Sequence, residues 1–188
     1  RAPEVTLNLV IGQDDFLREG LLTGRLDMVI CPQYEADPLL DTHALFDDEA
    51  VVVASRHHPL FNASYQMRDL CQYRWVLPAT TVAARRWIDN AFQARDLPLP
   101  RVQIETTSIS LLPRLIGETH LLCFLAREAL EDVKGVTHLR EVALKETTMK
   151  RTIVVFVRMG AYLSPSAQLL LSILKNEGSQ LFTGAQAV

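Results

Sequence analysis

"LLTGRLDMVICP", residues 21–32, decides the fold. Two leucines complete the apolar side of a helix. Gly24 can take the positive φ that ends one, and "LDMVICP" follows as a strand that Pro32 stops, because proline cannot donate to a ladder. Working outward, "DDFLREGLLTG" (14–24) is that helix. Asp14 and Asp15 suit its N-terminus, Phe16, Leu17, Leu21 and Leu22 form its apolar side, and Gly20 weakens it. Ahead of it, "VTLNLVI" (5–11) is a half-alternating, β-rich run. The chain therefore opens as β-α-β, close to the minimum length for that unit.

The same alternation continues. "EAVVVAS" (49–55) and "YRWVLP" (73–78) read as strands, separated by a loop with a short helical turn. "TTVAARRWIDNAFQARDL" (80–97) repeats apolar residues at Ala84, Trp87, Ile88, Ala91 and Phe92, a one-sided helix with a hydroxyl at its start. "PRVQIET" (100–106) is a strand, "SISLLPRLIGE" (108–118) a helix, and "THLLCFL" (119–125) a strand. Ser110 is the preferred cap there, since it puts Pro113 in the first turn, where its missing N–H costs little. "LAREALEDV" (125–133) is a short helix and "RTIVVFV" (151–157) a late strand. "SPSAQLLLSILKNEG" (164–178) is the clearest helix, capped by Ser164, with Pro165 first and Gly178 at its end. Repeated β-α-β units predict mostly parallel sheets covered by helices, and polar stretches at 79–81 and 146–151 permit two lobes.

Composition bounds the function. The chain has 188 residues, 48% apolar, with 22 acidic and 19 basic side chains and a net charge of −3. That is a globular profile with no basic run to bind DNA, and no apolar stretch long enough to span a bilayer. "RAPEVTLNLV" lacks the basic start and apolar run of a signal peptide. Cys31, Cys71 and Cys123 are odd in number and widely spaced, as expected of free thiols in a reducing compartment. No metal-ligand spacing, Gly-rich phosphate loop or nucleophile elbow occurs. Adjacent His57 and His58 diverge, so they do not ligate together, and His120 reads as a core or cleft-edge histidine. No catalytic residues, metal or cofactor are expected.

The stronger signal is polar residues at strand-to-helix joins. Gln13 follows the first strand, Thr80 and Thr81 follow "WVLPA", and Ser108 and Ser110 follow "VQIET". In open α/β sheets ligands sit beyond the carboxyl ends of the strands, where helix N–H groups and hydroxyls hold polar groups.

Taken in order, "PEVTLNLVIG", "LLTGRLDMVI", "ALFDDEAVVVASRHHPLF" and "WIDNAFQARDLPLPRVQIETTSISLLPRLI" resemble the effector-binding domain of LysR-type transcriptional regulators. "WVLP" and Arg158, Ser164, Pro165 and Ala167 resemble its sugar- and aromatic-acid-responsive branch. The resemblance covers about residues 3 to 177. It implies two Rossmann-like α/β lobes, like type 2 periplasmic binding proteins: lobe I at 1–77 and 152–188, lobe II at 78–151. It implies a small-molecule effector between the lobes, a carboxylate, aromatic acid or sugar acid, contacting Gln13, Thr80, Thr81 and Ser108. Arg25 matches an arginine that serves a second effector site in some relatives.

In "GETHLLCFLA", Thr119 and Phe124 replace the family's second Gly and Pro, so Phe124 narrows or re-lines the cleft. The family carries an N-terminal helix-turn-helix, a linker helix and one more strand and helix ahead of "P-x-V-x-L". On that reading the chain is N-terminally truncated, with an incomplete pocket. The implied role is a cytoplasmic ligand sensor in a homo-oligomer that meets DNA only through the absent helix-turn-helix, and no membrane. The rival from another class is an extracytoplasmic solute-binding protein.

Overall fold

The computed structural model describes residues 4–12, 14–33, 37–130 and 138–183. They form two compact units, Arg1–Asp47 with Arg151–Val188, and Asp48–Lys150. The chain passes from one to the other inside two strands, β2 (Leu40–Ser55) and β7 (Met149–Arg158). The first boundary differs from the expected division at 77/78. The second half of β2 takes its ladder partners from the second unit, and carries residues 48–77 with it.

The first unit holds α1 (Asp14–Leu22), β1 (Val29–Pro32) and α4 (Pro165–Thr183) with its shares of β2 and β7. β1 runs antiparallel to β7, from Val29 opposite Phe156 to Pro32 opposite Ile153. Leu21 of α1 packs with Val29, Leu40, Val154 and Phe156. The turn after α1 works as the sequence predicts: Gly24 has φ +74°, and the Leu26 N–H donates to the Gly20 carbonyl at 3.0 Å. A Cβ on Gly20 would stand 2.9 Å from Leu26 Cδ1, so this glycine admits the returning chain. In α4, the Ala167 N–H donates to Ser164 Oγ at 3.2 Å, confirming the cap. The helix runs on past the expected stop at Gly178 to Thr183. Gly178 is buried beside Leu45 and does not have the positive φ of a helix terminator.

Residues 5–11 are not a strand, contrary to the sequence pattern. A β-rich run becomes a strand only when a neighbour takes up its N–H and C=O groups. No described strand pairs with it, and Val5, Leu7, Leu9, Val10 and Ile11 are all exposed, Ile11 by 99%.

The described residues of the second unit form a mixed sheet in the order β6-β2-β5-β3-β4, built from β3 (Arg74–Leu77), β4 (Arg101–Glu105), β5 (Leu121–Ala126), β6 (Leu139–Glu141) and the second half of β2. β3 pairs in parallel with β4 and β5, while β2 pairs antiparallel with β5 and β6. Alternate side chains serve opposite faces. Ala50, Val52, Ala54, Trp75, Leu77, Leu122 and Phe124 pack under Ile88 and Phe92 of α2 (Ala83–Gln93). Val51, Val53, Val76, Leu121, Cys123 and Leu125 pack under Leu112 and Ile116 of α3 (Leu112–Gly117). Burial on both faces explains the unbroken apolar runs "VVVA", "WVL" and "LLCFL". It also pushes the Cys123 thiol up to about 12. Arg127, just after β5, grips Glu141 of β6 with Nε at 2.9 Å and Nη2 at 2.7 Å, and pairs with Glu49 of β2. Arg127 belongs to a 3-10 turn, Arg127–Leu130, where a short helix over 125–133 was expected. Residues 131–133 of that helix lie outside the described residues.

Candidate functional site at the carboxyl ends of β3 and β4

β3 and β4 are parallel neighbours, yet their connections leave in opposite directions. The chain after β3 crosses to α2 on one face, and the chain after β4 crosses to α3 on the other. The two connections leave the carboxyl end of this strand pair on opposite faces of the sheet, and in open α/β sheets ligands bind beyond that end. Residues 78–82 and 106–111 flank it, and the two segments start in contact: the Thr106 N–H donates to the Leu77 carbonyl at 3.2 Å.

Thr80, Thr81 and Ser108 are brought to these two segments, and all three are exposed. Their hydroxyls do not cap the helices that follow, as the sequence had led us to expect of the threonines. The cap residue of α2 is Val82, with no side-chain capping bond. The second connection starts as a 3-10 turn, Ile109–Leu111, whose cap Ser108 also makes no side-chain bond. Ser110 lies inside this turn, Leu111 caps α3, and Pro113 does fall in its first turn. Among the described residues the Thr80, Thr81 and Ser108 hydroxyls have no hydrogen-bond partner. Ile109 and Leu111 are exposed beside Ser108, adding apolar surface to the polar one.

The turn carrying the threonines is held by two side chains that the sequence reading passed over. Arg85 Nη1 donates to the Pro78 carbonyl at 3.1 Å, and Arg86 Nη1 to the Thr81 carbonyl at 2.6 Å. Arg85 is buried, and its Nε donates to Asp89 Oδ2 at 2.8 Å. A signal was present: Arg85 falls three and seven residues before Ile88 and Phe92, on the apolar stripe of α2.

Phe124 and Arg25 lie elsewhere. Phe124 is buried in the α2-side core, its ring parallel to Trp87 with centroids 5.6 Å apart. Arg25 belongs to the first unit. It pairs with Glu19 at 2.9 Å, donates to Thr23 Oγ1 at 3.2 Å and lies over the Phe16 ring, a set of contacts local to the end of α1. Gln13 lies outside the described residues. Thr119 closes α3, its hydroxyl donating to the Leu115 carbonyl at 2.8 Å. Among the described residues no group of three His, Cys, Asp or Glu side chains is arranged to hold a metal ion, and no helix is long and apolar enough to cross a membrane.

Residues 1–179 match the family model described as the LysR substrate binding domain. The chain belongs to this family. Among curated relatives, it is 28% identical over 163 residues to the HTH-type transcriptional regulator GalR of Pseudomonas putida, covering 86% of this chain and 41% of that protein. It is also 28% identical to the regulator GbpR of Rhizobium radiobacter, over 71% of this chain and 45% of that protein. The chain thus spans about half the length of the curated relatives it matches. The fold matches the Synechocystis PCC6803 CcmR regulatory domain, solved with 2-PG, with TM-score 0.81 and 20% identity over 99% of this chain and 87% of that one. It matches the QuiR effector-binding domain, solved with shikimate, with TM-score 0.73 and 18% identity over 90% and 79%. This LysR substrate-binding domain therefore has the type 2 periplasmic-binding-protein-like architecture expected of it. The relatives named are regulators, which disfavours the solute-binding alternative.

Proposed function

We propose that this LysR domain is the effector sensor of a cytoplasmic, homo-oligomeric DNA-binding transcriptional regulator, and that it binds a small carboxylate, an aromatic acid or a sugar acid, at the carboxyl ends of β3 and β4. The observation that carries the reading is the set of three hydroxyls, Thr80, Thr81 and Ser108, that have no partner among the described residues and stand beyond the carboxyl ends of two parallel strands. Hydroxyls and the N–H groups of the first turn of α2 suit a carboxylate, and Ile109 and Leu111 suit the carbon skeleton attached to it. Shikimate in the QuiR domain is a ligand of this chemistry. Phe124 acts indirectly, by supporting Trp87 and thus the helix that follows the threonine turn. Arg25 serves a second effector site. Binding one conformation better than another biases the DNA-bound oligomer; no reaction is involved. DNA is met by another part of the regulator.

Calorimetric titration of the intact regulator with shikimate, gluconate and benzoate tests the site. At least one should bind, and Thr81→Val should weaken it by about 1–3 kcal/mol, the cost of a lost hydrogen bond in a desolvated site. Binding by none of the three, or unchanged affinity in the variant, overturns the assignment.

A further inference from the structure

We infer that Arg85, oriented by Asp89, is the positioning residue of this site: it fixes the Pro78–Val82 turn so that Thr80 and Thr81 are presented for binding. The role rests on the effector reading above. From the first turn of α2 the buried guanidinium reaches back to the Pro78 carbonyl, while Arg86 takes the Thr81 carbonyl. Within the turn the Val82 N–H donates to the Ala79 carbonyl at 3.0 Å. The turn is therefore tethered at both ends by adjacent residues of the helix it leads into.

Helix stability does not account for this pair. A cation in the first turn with an acid four residues later is the order that opposes the helix macrodipole. Burying both charges costs desolvation, and Asp89 Oδ1 is buried without a partner among the described residues. An apolar residue at 85 would extend the stripe of Ile88 and Phe92 at no such cost. What the arginine supplies is direction. Its planar fork donates from Nε and Nη1 at fixed angles, so fixing Nε on Asp89 aims Nη1 at Pro78. A turn ordered in advance loses less entropy when a ligand arrives.

Amide hydrogen exchange at Val82, measured by NMR on the intact protein, tests this without any ligand. In Arg85→Gln the Val82 amide should exchange about tenfold faster, while Val76 in β3 and Ile88 in α2 keep their protection. Arg85→Lys keeps the charge but loses the fork, and should behave like Arg85→Gln. Affinity for whichever of shikimate, gluconate or benzoate binds should fall about tenfold in both. Wild-type Val82 exchange in Arg85→Lys, or loosening spread evenly over β3 and α2, overturns the role. If Arg85→Gln does not fold, Asp89→Asn decides by the same Val82 measurement, with faster exchange expected. If none of the three acids binds the wild type, the effector reading falls, and Val82 exchange still decides whether Arg85 holds the turn.

Discussion

The buried ring of His58 accepts a hydrogen bond from the Leu60 N–H on Nδ1 at 3.1 Å, and its Nε2 faces the His120 carbonyl at 3.1 Å. A nitrogen that accepts from an N–H carries no proton, so Nε2 bears the hydrogen and donates to His120. Both nitrogens are committed in the neutral ring, which caps the 3-10 turn at Pro59–Asn62. Burial, opposed by the bond to the His120 carbonyl and reinforced by the His120 charge, holds the pKa of His58 below its ordinary 6.5.

The sign of the pH effect follows. Below 6.5 the unfolded chain takes up a proton that the folded ring resists, so stability is complete above 6.5 and falls as pH drops toward the lowered folded value. The urea midpoint should decrease between pH 7 and pH 5. His58→Asn keeps a capping oxygen for Leu60 and should flatten that decrease; an equally steep slope would remove His58 as its source.

Phe92 is fully buried and meets Trp75 edge to face, with centroids 5.8 Å apart. Phe92→Ala removes one of the two fully buried apolar side chains, with Ile88, that α2 sets against the sheet. It should cost about 3–5 kcal/mol in chemical denaturation. A loss under ~1 kcal/mol would mean that the core refills around the cavity.

Gly24 turns the chain between α1 and β1 with φ +74°. An L side chain there is strained by about 1–2 kcal/mol, so Gly24→Ala should lower stability by that amount. Gly24→Asn, which tolerates the conformation better, should lose less. Equal stability of all three proteins would show that the turn adapts.

The net charge is −3 and the sequence holds no basic run, the concentrated positive charge to which nucleic acid is drawn. The 188-residue chain alone should give no operator-specific mobility shift at physiological salt. Saturable binding competed only by operator DNA would contradict this.

How far the sequence could be read depended on what each segment packs against. The second unit was legible because strands buried on both faces are apolar without a break, as in "LLCFL". The place of Thr80, Thr81 and Ser108 at strand ends was legible for the same reason. Whether their hydroxyls serve the helix or face outward was not, since a threonine before a helix looks alike in both cases. Residues 5–11 misled because β propensity carries no information about a partner strand. The first unit boundary was missed because a 16-residue strand gives no sign of where its ladder partners change. Arg85 hid behind its charge: only its spacing to Ile88 and Phe92 revealed that it points inward.

On β3 and β4 the residues that fill the two faces of the second sheet stop at Leu77 and Ile104, and the turns that follow carry none of the side chains that fill them until α2 and α3 begin. Those two short loops are consequently interchangeable parts. A graft of residues 79–81 and 106–110 from another member of the family would alter the chemistry offered to solvent while leaving the packed interior untouched, provided the guanidinium beneath the first loop is retained. If these loops hold the effector, as proposed above, the choice of signal is separate from the upkeep of the fold, and new specificities can evolve without a toll on folding.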